Sequence, residues 1–117
     1  MTRILIVEDE PVIATLLEEM LTDQGFEIAA IASTLEQARA LAGSLALDAA
    51  LLDVGLGPDE VFPVARLLEE RGVPFAFTTG YGSAGLPPEW ENRPLFCKPY
   101  DIQQLAETLS QFTSPAR

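Results

Sequence analysis

Histidine is absent from this 117-residue chain, lysine and cysteine each occur once, and basic residues are scarce. Without imidazole there is no histidine general base, no Ser-His-Asp triad and no zinc site built on histidine. A single cysteine excludes an internal disulfide and a cysteine-only metal site, and Cys97 is expected to be a buried strand residue. Seven basic residues face eighteen acidic ones, for a net charge of −11. Such a surface repels nucleic acid, whose binding depends on neutralising phosphates. No apolar stretch is long enough to cross a bilayer, so no membrane association is expected. Met1-Thr2-Arg3 leads straight into an apolar run with no signal peptide, which makes the cytoplasm the expected location.

What remains is a chain built to fold. Hydrophobic residues make up 48% of it, enough for a core and too many for a disordered segment. One domain spanning 1–117 is expected, burying roughly two-thirds of its unfolded surface. Four short apolar runs, Ile4-Leu5-Ile6-Val7, Ala49-Ala50-Leu51-Leu52, Pro74-Phe75-Ala76-Phe77 and one near Leu95, are continuous rather than alternating. That pattern belongs to parallel strands covered on both faces. Phe26 to Ala32 adds a fifth strand.

Helices fall between them. Pro11 to Gln24 carries apolar residues at Val12, Ile13, Leu16, Leu17, Met20 and Leu21, read as one helical face, with Gly25 just past its end. Ser33-Thr34-Leu35-Glu36 reads as a capping box for a second helix with Leu35, Ala38, Leu41 and Ala42 on its core side. A loop from Val54 to Asp59 leads to a third helix ending near Gly72, with Pro63 in its first turn. Asp101 can cap a last helix through Ile102, Leu105, Ala106, Leu109 and Phe112. Gly82, Gly85, Pro87 and Pro88 suit a loop or broken helix between Tyr81 and Pro94. The expectation is a doubly wound α/β domain with a five-stranded parallel sheet and a short or degenerate fourth helix.

In such sheets ligands bind beyond the carboxyl ends of the strands. Four strands here end on polar chemistry: Glu8-Asp9-Glu10, Asp53, Thr78-Thr79, and the only lysine, Lys98. An acid pair, an aspartate, a hydroxyl and an ammonium on one edge fit metal-assisted phosphoryl transfer to a carboxylate.

This ordered set resembles the receiver domains of two-component response regulators, and the similarity runs over essentially the whole chain. The resemblance implies a flavodoxin-like strand order 2-1-3-4-5 and a role as a signalling protein, not an enzyme. It implies phosphorylation of Asp53 by the phosphohistidine of a sensor histidine kinase or phosphotransfer protein, a residue this chain cannot supply itself. It further implies Mg²⁺ held by Asp9, by Asp53, by Glu8 through water, and by the Gly55 carbonyl. Thr79 and Lys98 would bind phosphoryl oxygens. Pro74 to Gly82 is similar to the signature of the FAT GUY receivers, single-domain regulators associated with phosphorelays. Leu95 stands where many receivers carry an aromatic switch residue, and Tyr81 is the natural substitute. Gly57 replaces a proline frequent in the loop after the acceptor. Output would then pass through a downstream protein partner, with the largest change expected between Thr79 and Pro94.

Two rival readings are separable on residues. Haloacid-dehalogenase-like phosphatases also form an aspartyl phosphate, but need a second aspartate two positions on, where this chain has Gly55. A degenerate receiver serving only as a protein-binding module would have no need of the full acid, hydroxyl and lysine set.

Overall fold

The computed structural model describes residues 2–56, 59–79, 86–97 and 101–113. The apolar runs form β1 (Arg3–Val7), β2 (Glu27–Ala32), β3 (Ala49–Asp53), β6 (Phe75–Thr79) and β7 (Leu95–Cys97), which pair in parallel in the order β2-β1-β3-β6-β7. Counted within this sheet alone, that is 2-1-3-4-5. The chain also forms helices α1 (Pro11–Asp23), α2 (Leu35–Ser44), α3 (Phe62–Arg71) and α4 (Ile102–Thr113), and a 3-10 turn at Pro88–Trp90 precedes β7. Among the described residues no helix is long and apolar enough to cross a membrane.

Strand alternation divides the core in two. Leu5, Val7, Ala50, Leu52, Phe75 and Phe77 pack with residues of α2 and α3 on one face. Ile4, Ile6, Ala49, Leu51 and Ala76 pack with Leu17 and Leu21 of α1 and Leu105 and Leu109 of α4 on the other. Both faces of each central strand are therefore dry, which is why those strands read as unbroken apolar runs.

Local signals hold with four corrections. The cap of α2 sits one residue later than expected. Thr34 accepts from the Gln37 backbone N–H at 3.1 Å, and Gln37 Oε1 accepts from the Ser33 N–H at 3.0 Å. Gln37, not Glu36, stands three residues after the cap and can close this reciprocal pair. On α1 the buried residues are Ala14, Leu17 and Leu21, while Val12 is 80% and Leu16 50% exposed. The apolar stripe from Val12 to Leu21 spans about 180° of the helix at 100° per residue, more than one sheet face can cover. Cys97 is exposed rather than buried: β7 is a short edge strand with no second strand neighbour among the described residues. The segment after Asp53 is not an irregular loop. Gly55–Leu56 (β4) and Asp59–Glu60 (β5) pair antiparallel as a small ribbon that feeds α3.

Helix ends behave as the sequence implies. Gly72 closes α3 in the left-handed region at φ 74°, and Val73 N–H bonds back to the Leu68 carbonyl at 2.9 Å. Asp101 Oδ1 accepts from the Gln103 N–H at 3.0 Å, capping α4.

Trp90, in the 3-10 turn, is 1% exposed and meets Phe75 and Phe77 edge-on at centroid distances of 5.8 and 6.1 Å. Its indole N–H has no acceptor among the described residues, so the ring acts through packing. Trp90→Ala is expected to cost ~3–5 kcal/mol in urea unfolding, the usual range for emptying a buried aromatic site. A loss below about 1 kcal/mol would mean that the turn is not part of the core.

Candidate functional site

The carboxyl edge of the sheet gathers the polar strand ends. Glu8 follows β1, and its N–H is anchored to the Ala32 carbonyl of β2 at 2.9 Å. Asp53 ends β3 in register with Thr78 of β6, and the next N–H, of Val54, bonds to the Thr78 carbonyl at 2.9 Å. These backbone bonds hold the strand tips against each other, so the side chains they carry converge without help from a loop.

Glu8, Asp9 and Asp53 each place one carboxylate oxygen within 4.8 Å of the other two. Glu8 is 1% and Asp53 5% exposed, while Asp9 is half-buried at the mouth. Two backbone N–H groups aim at this cluster. Glu10 N–H donates to Glu8 Oε2 at 3.2 Å, and Gly55 N–H donates to Asp53 Oδ1 at 3.3 Å. Both come from residues two positions on, so the start of α1 and the start of the ribbon each orient the acid that precedes them. The hold that Glu10 exerts through its backbone was not visible in the sequence, where only its side chain could be considered.

The electrostatics favour a cation. Two carboxylates about 4 Å apart repel by ~4 kcal/mol at an effective dielectric near 20, and here three meet. Hard carboxylate oxygens, two of them sheltered, suit Mg²⁺, which takes one or two carboxylates and keeps several waters. The donor set thus fits the ion that the sequence implies. Gly55 is exposed on β4 beside the cluster, and a side chain added there would meet nothing within 4 Å. That leaves the mouth open above Asp53.

Thr79 ends β6, buried to 3% and in register with Cys97 of β7. Thr78 is equally buried beside Asp53. Lys98 and Tyr81 lie outside the described residues. Of the seven site residues expected from sequence, the structure brings Glu8, Asp9 and Asp53 together, sets Gly55 next to them, and places Thr79 at the end of the neighbouring strand.

The fold and the acid cluster define a flavodoxin-like doubly wound domain with a polyacidic pocket at its carboxyl edge. The family model of the response regulator receiver domain matches residues 4–90, and the chain belongs to that family. Solved structures agree. The solution structure of SdrG from Sphingomonas melonis Fr1 is 36% identical over 97% of this chain and 98% of that one, with a TM-score of 0.84. The receiver domain of PhyR from Erythrobacter litoralis is 28% identical over 99% of this chain and 95% of that one, with a TM-score of 0.83. The BeF3-activated conformation of SdrG from Pseudomonas melonis Fr1 is 35% identical over 96% of each chain, with a TM-score of 0.79. A comparison with curated proteins finds no significant match.

Proposed function

We propose that residues 1–117 form a receiver that accepts a phosphoryl group on Asp53 from the phosphohistidine of a sensor histidine kinase or phosphotransfer protein. The observation that carries this reading is the meeting of the Glu8, Asp9 and Asp53 carboxylates within 4.8 Å. In the transfer, an Asp53 oxygen forms the bond to phosphorus as the donor's N–P bond breaks, and the electron pair returns to the imidazole nitrogen. Asp53 is presented at the tip of a rigid central strand, which supplies the positioning on which phosphoryl transfer relies. Asp9, Asp53, the Gly55 carbonyl and, through water, Glu8 would hold Mg²⁺, which would neutralise the phosphoryl oxygens. The Thr79 hydroxyl donates to one of those oxygens and Lys98 pairs with a second. Tyr81 is the switch residue that follows Thr79.

Support for the FAT GUY subgroup comes from β6, which ends Phe77-Thr78-Thr79, and from the 3-10 turn at Pro88–Trp90 where other receivers have a helix. SdrG, similar over nearly the whole chain, has been solved in a BeF3-activated conformation, in keeping with acceptor chemistry in that relative. The phosphatase reading loses support, since exposed Gly55 offers no acid above Asp53. Phosphotransfer profiling tests the proposal: with Mg²⁺, at least one sensor kinase or phosphotransfer protein should label this chain within seconds to minutes. Absence of labelling from every donor, including acetyl phosphate and phosphoramidate, would overturn it.

The donor protein must reach Asp53 past α1, whose first residue lies two positions after Asp9. Val12 and Leu16, one turn apart and exposed at 80% and 50%, form an apolar strip there, flanked by Pro11, Thr15 and Glu19. Val12→Asp combined with Leu16→Asp should slow transfer from the cognate protein by about tenfold or more, since each lost apolar contact at an interface centre costs ~1 kcal/mol or above. Labelling by acetyl phosphate should not change. Equal slowing with both donors would place the effect in the pocket instead of at the docking surface.

A further inference from the structure

Residues 88–93 are joined to α3 by two crossed contacts of opposite polarity. Arg66 of α3 pairs with Glu89 at 2.8 Å and lies over the Trp90 ring at 5.6 Å. Arg93 pairs with Glu69 of α3 at 2.9 Å and lies over the Phe75 ring at 4.5 Å. On α3 the positive charge precedes the negative by three residues; on the facing segment the negative precedes the positive by four. Both pairs form at the same time, so a single docking register satisfies them. A slip brings like charges together. Exposed ion pairs are weak alone, but here each guanidinium also lies over a ring of the core, Arg66 over Trp90 and Arg93 over Phe75.

We propose that α3 and residues 88–93 form one cooperative anchor that stays fixed when the acceptor is charged. The anchor links the two arms of the site. α3 follows the ribbon that begins two residues after Asp53, and residues 88–93 lead through Pro94 into β7, the strand that precedes Lys98. Phe77 N–H bonds to the Pro94 carbonyl at 2.8 Å, so the entry to β7 is tied down as well. Composition alone allows deformation of the whole stretch from Thr79 to Pro94. The geometry instead sets its far part aside: when the acceptor is charged, residues 88–93 and β7 keep their place. Moving residues 88–93 would withdraw Trp90, 1% exposed, from the core and break both crossed contacts together. This second half of the inference rests on the acceptor reading; the existence of the anchor does not.

Native-state hydrogen exchange tests both halves. The amides of Trp90, Glu91 and Arg93, bonded to the Pro87, Pro88 and Trp90 carbonyls, should exchange through the same opening as the amides of α3. In the double variant Arg66→Glu, Arg93→Glu they should exchange about tenfold faster or more, while β1 and β3 amides hold. If that variant does not fold, Arg66→Gln with Arg93→Gln gives the same comparison with a smaller change. Adding Glu89→Arg to Arg66→Glu alone should recover part of the protection. Exchange of the three amides at free-loop rates in the unaltered chain, or rates that ignore these substitutions, would refute the anchor. With Mg²⁺ and beryllofluoride, the three amides and the emission maximum of Trp90, the only tryptophan, should stay unchanged while the Thr79 amide shifts. Changes at 88–93 as large as those at Thr79 would overturn the claim that the anchor stays fixed. Silence at Thr79 as well would count against the acceptor reading, with the first comparison still deciding the anchor.

Discussion

Asp53→Asn is expected to abolish labelling by acetyl phosphate and by any phosphohistidine donor. The side chain keeps its shape, its burial and its acceptor oxygen for the Gly55 N–H, but an amide is not a nucleophile toward phosphorus. Wild-type protein should gain one phosphoryl group that survives acid and is lost in base, as an acyl phosphate must be, and EDTA should suppress its formation. The substitution has a second expected sign. Without metal, Asp53 is one of three carboxylates whose oxygens lie within 4.8 Å, so removing its charge relieves repulsion of up to a few kcal/mol. Asp53→Asn should therefore melt higher than the parent in EDTA, by several degrees. A variant that still accepts phosphate at another residue would remove Asp53 from the centre of the proposal. A variant that melts lower in EDTA would show that the acids are not in electrostatic conflict.

Mg²⁺ should raise the melting temperature of the parent chain by roughly 10 °C at one hundred times its dissociation constant. A ligand that binds only the folded state adds about 2.7 kcal/mol at that concentration, and in a domain of this size each kcal/mol is worth about 3–5 °C. Asp9→Asn should remove most of this gain, because Asp9 is the half-buried carboxylate at the mouth. Asp9→Lys should produce a similar gain with no Mg²⁺ added, by setting an ammonium against Glu8 and Asp53. The control is NaCl at matched ionic strength, which screens surface charge over ~8–10 Å but does not bridge buried oxygens. If NaCl reproduces the Mg²⁺ effect, the gain is general screening of a chain with a net charge of −11, and the pocket is not a specific cation site.

These two experiments bear on different residues of one cluster, and their joint outcome separates the readings. Loss of labelling in Asp53→Asn with an intact Mg²⁺ response in the parent supports an acceptor. A Mg²⁺ response without labelling from any donor favours a receiver that has kept its pocket but signals by binding alone.

Much of this was legible before any coordinates. A strand covered on both faces must be apolar at every position, so β1, β3 and β6 announced themselves, and a parallel sheet must put the residues that follow its strands on one edge. Glu8, Asp9 and Asp53 were therefore placed together by chain order and strand type alone. Caps were nearly as clear: Gly72 and Asp101 act where their chemistry requires, and the box of α2 was off by one residue because both Ser33 and Thr34 are competent caps.

Tertiary structure decided the rest, in each case because the deciding partner is distant in sequence. Periodicity along α1 is the same whether or not a sheet can cover all of it; only the packing of α1 against β1 and β2 left Val12 and Leu16 outside. Cys97 has an ordinary strand neighbourhood, and its exposure follows from β7 being an edge. The ribbon after Asp53 depends on pairing between Gly55–Leu56 and Asp59–Glu60, which no local propensity signals in segments of two residues. Of the glycines and prolines between Tyr81 and Pro94, Gly82 and Gly85 lie outside the described residues, while Pro87 and Pro88 open the 3-10 turn. They could not show that Glu89, Trp90 and Arg93 would meet Arg66, Phe75 and Glu69, since those contacts exist only once α3 and β6 lie side by side. Local sequence determined which residues could carry charge and chemistry, because strand and cap preferences act over a few residues. Which of them are exposed, and which are held still, was left to packing between elements.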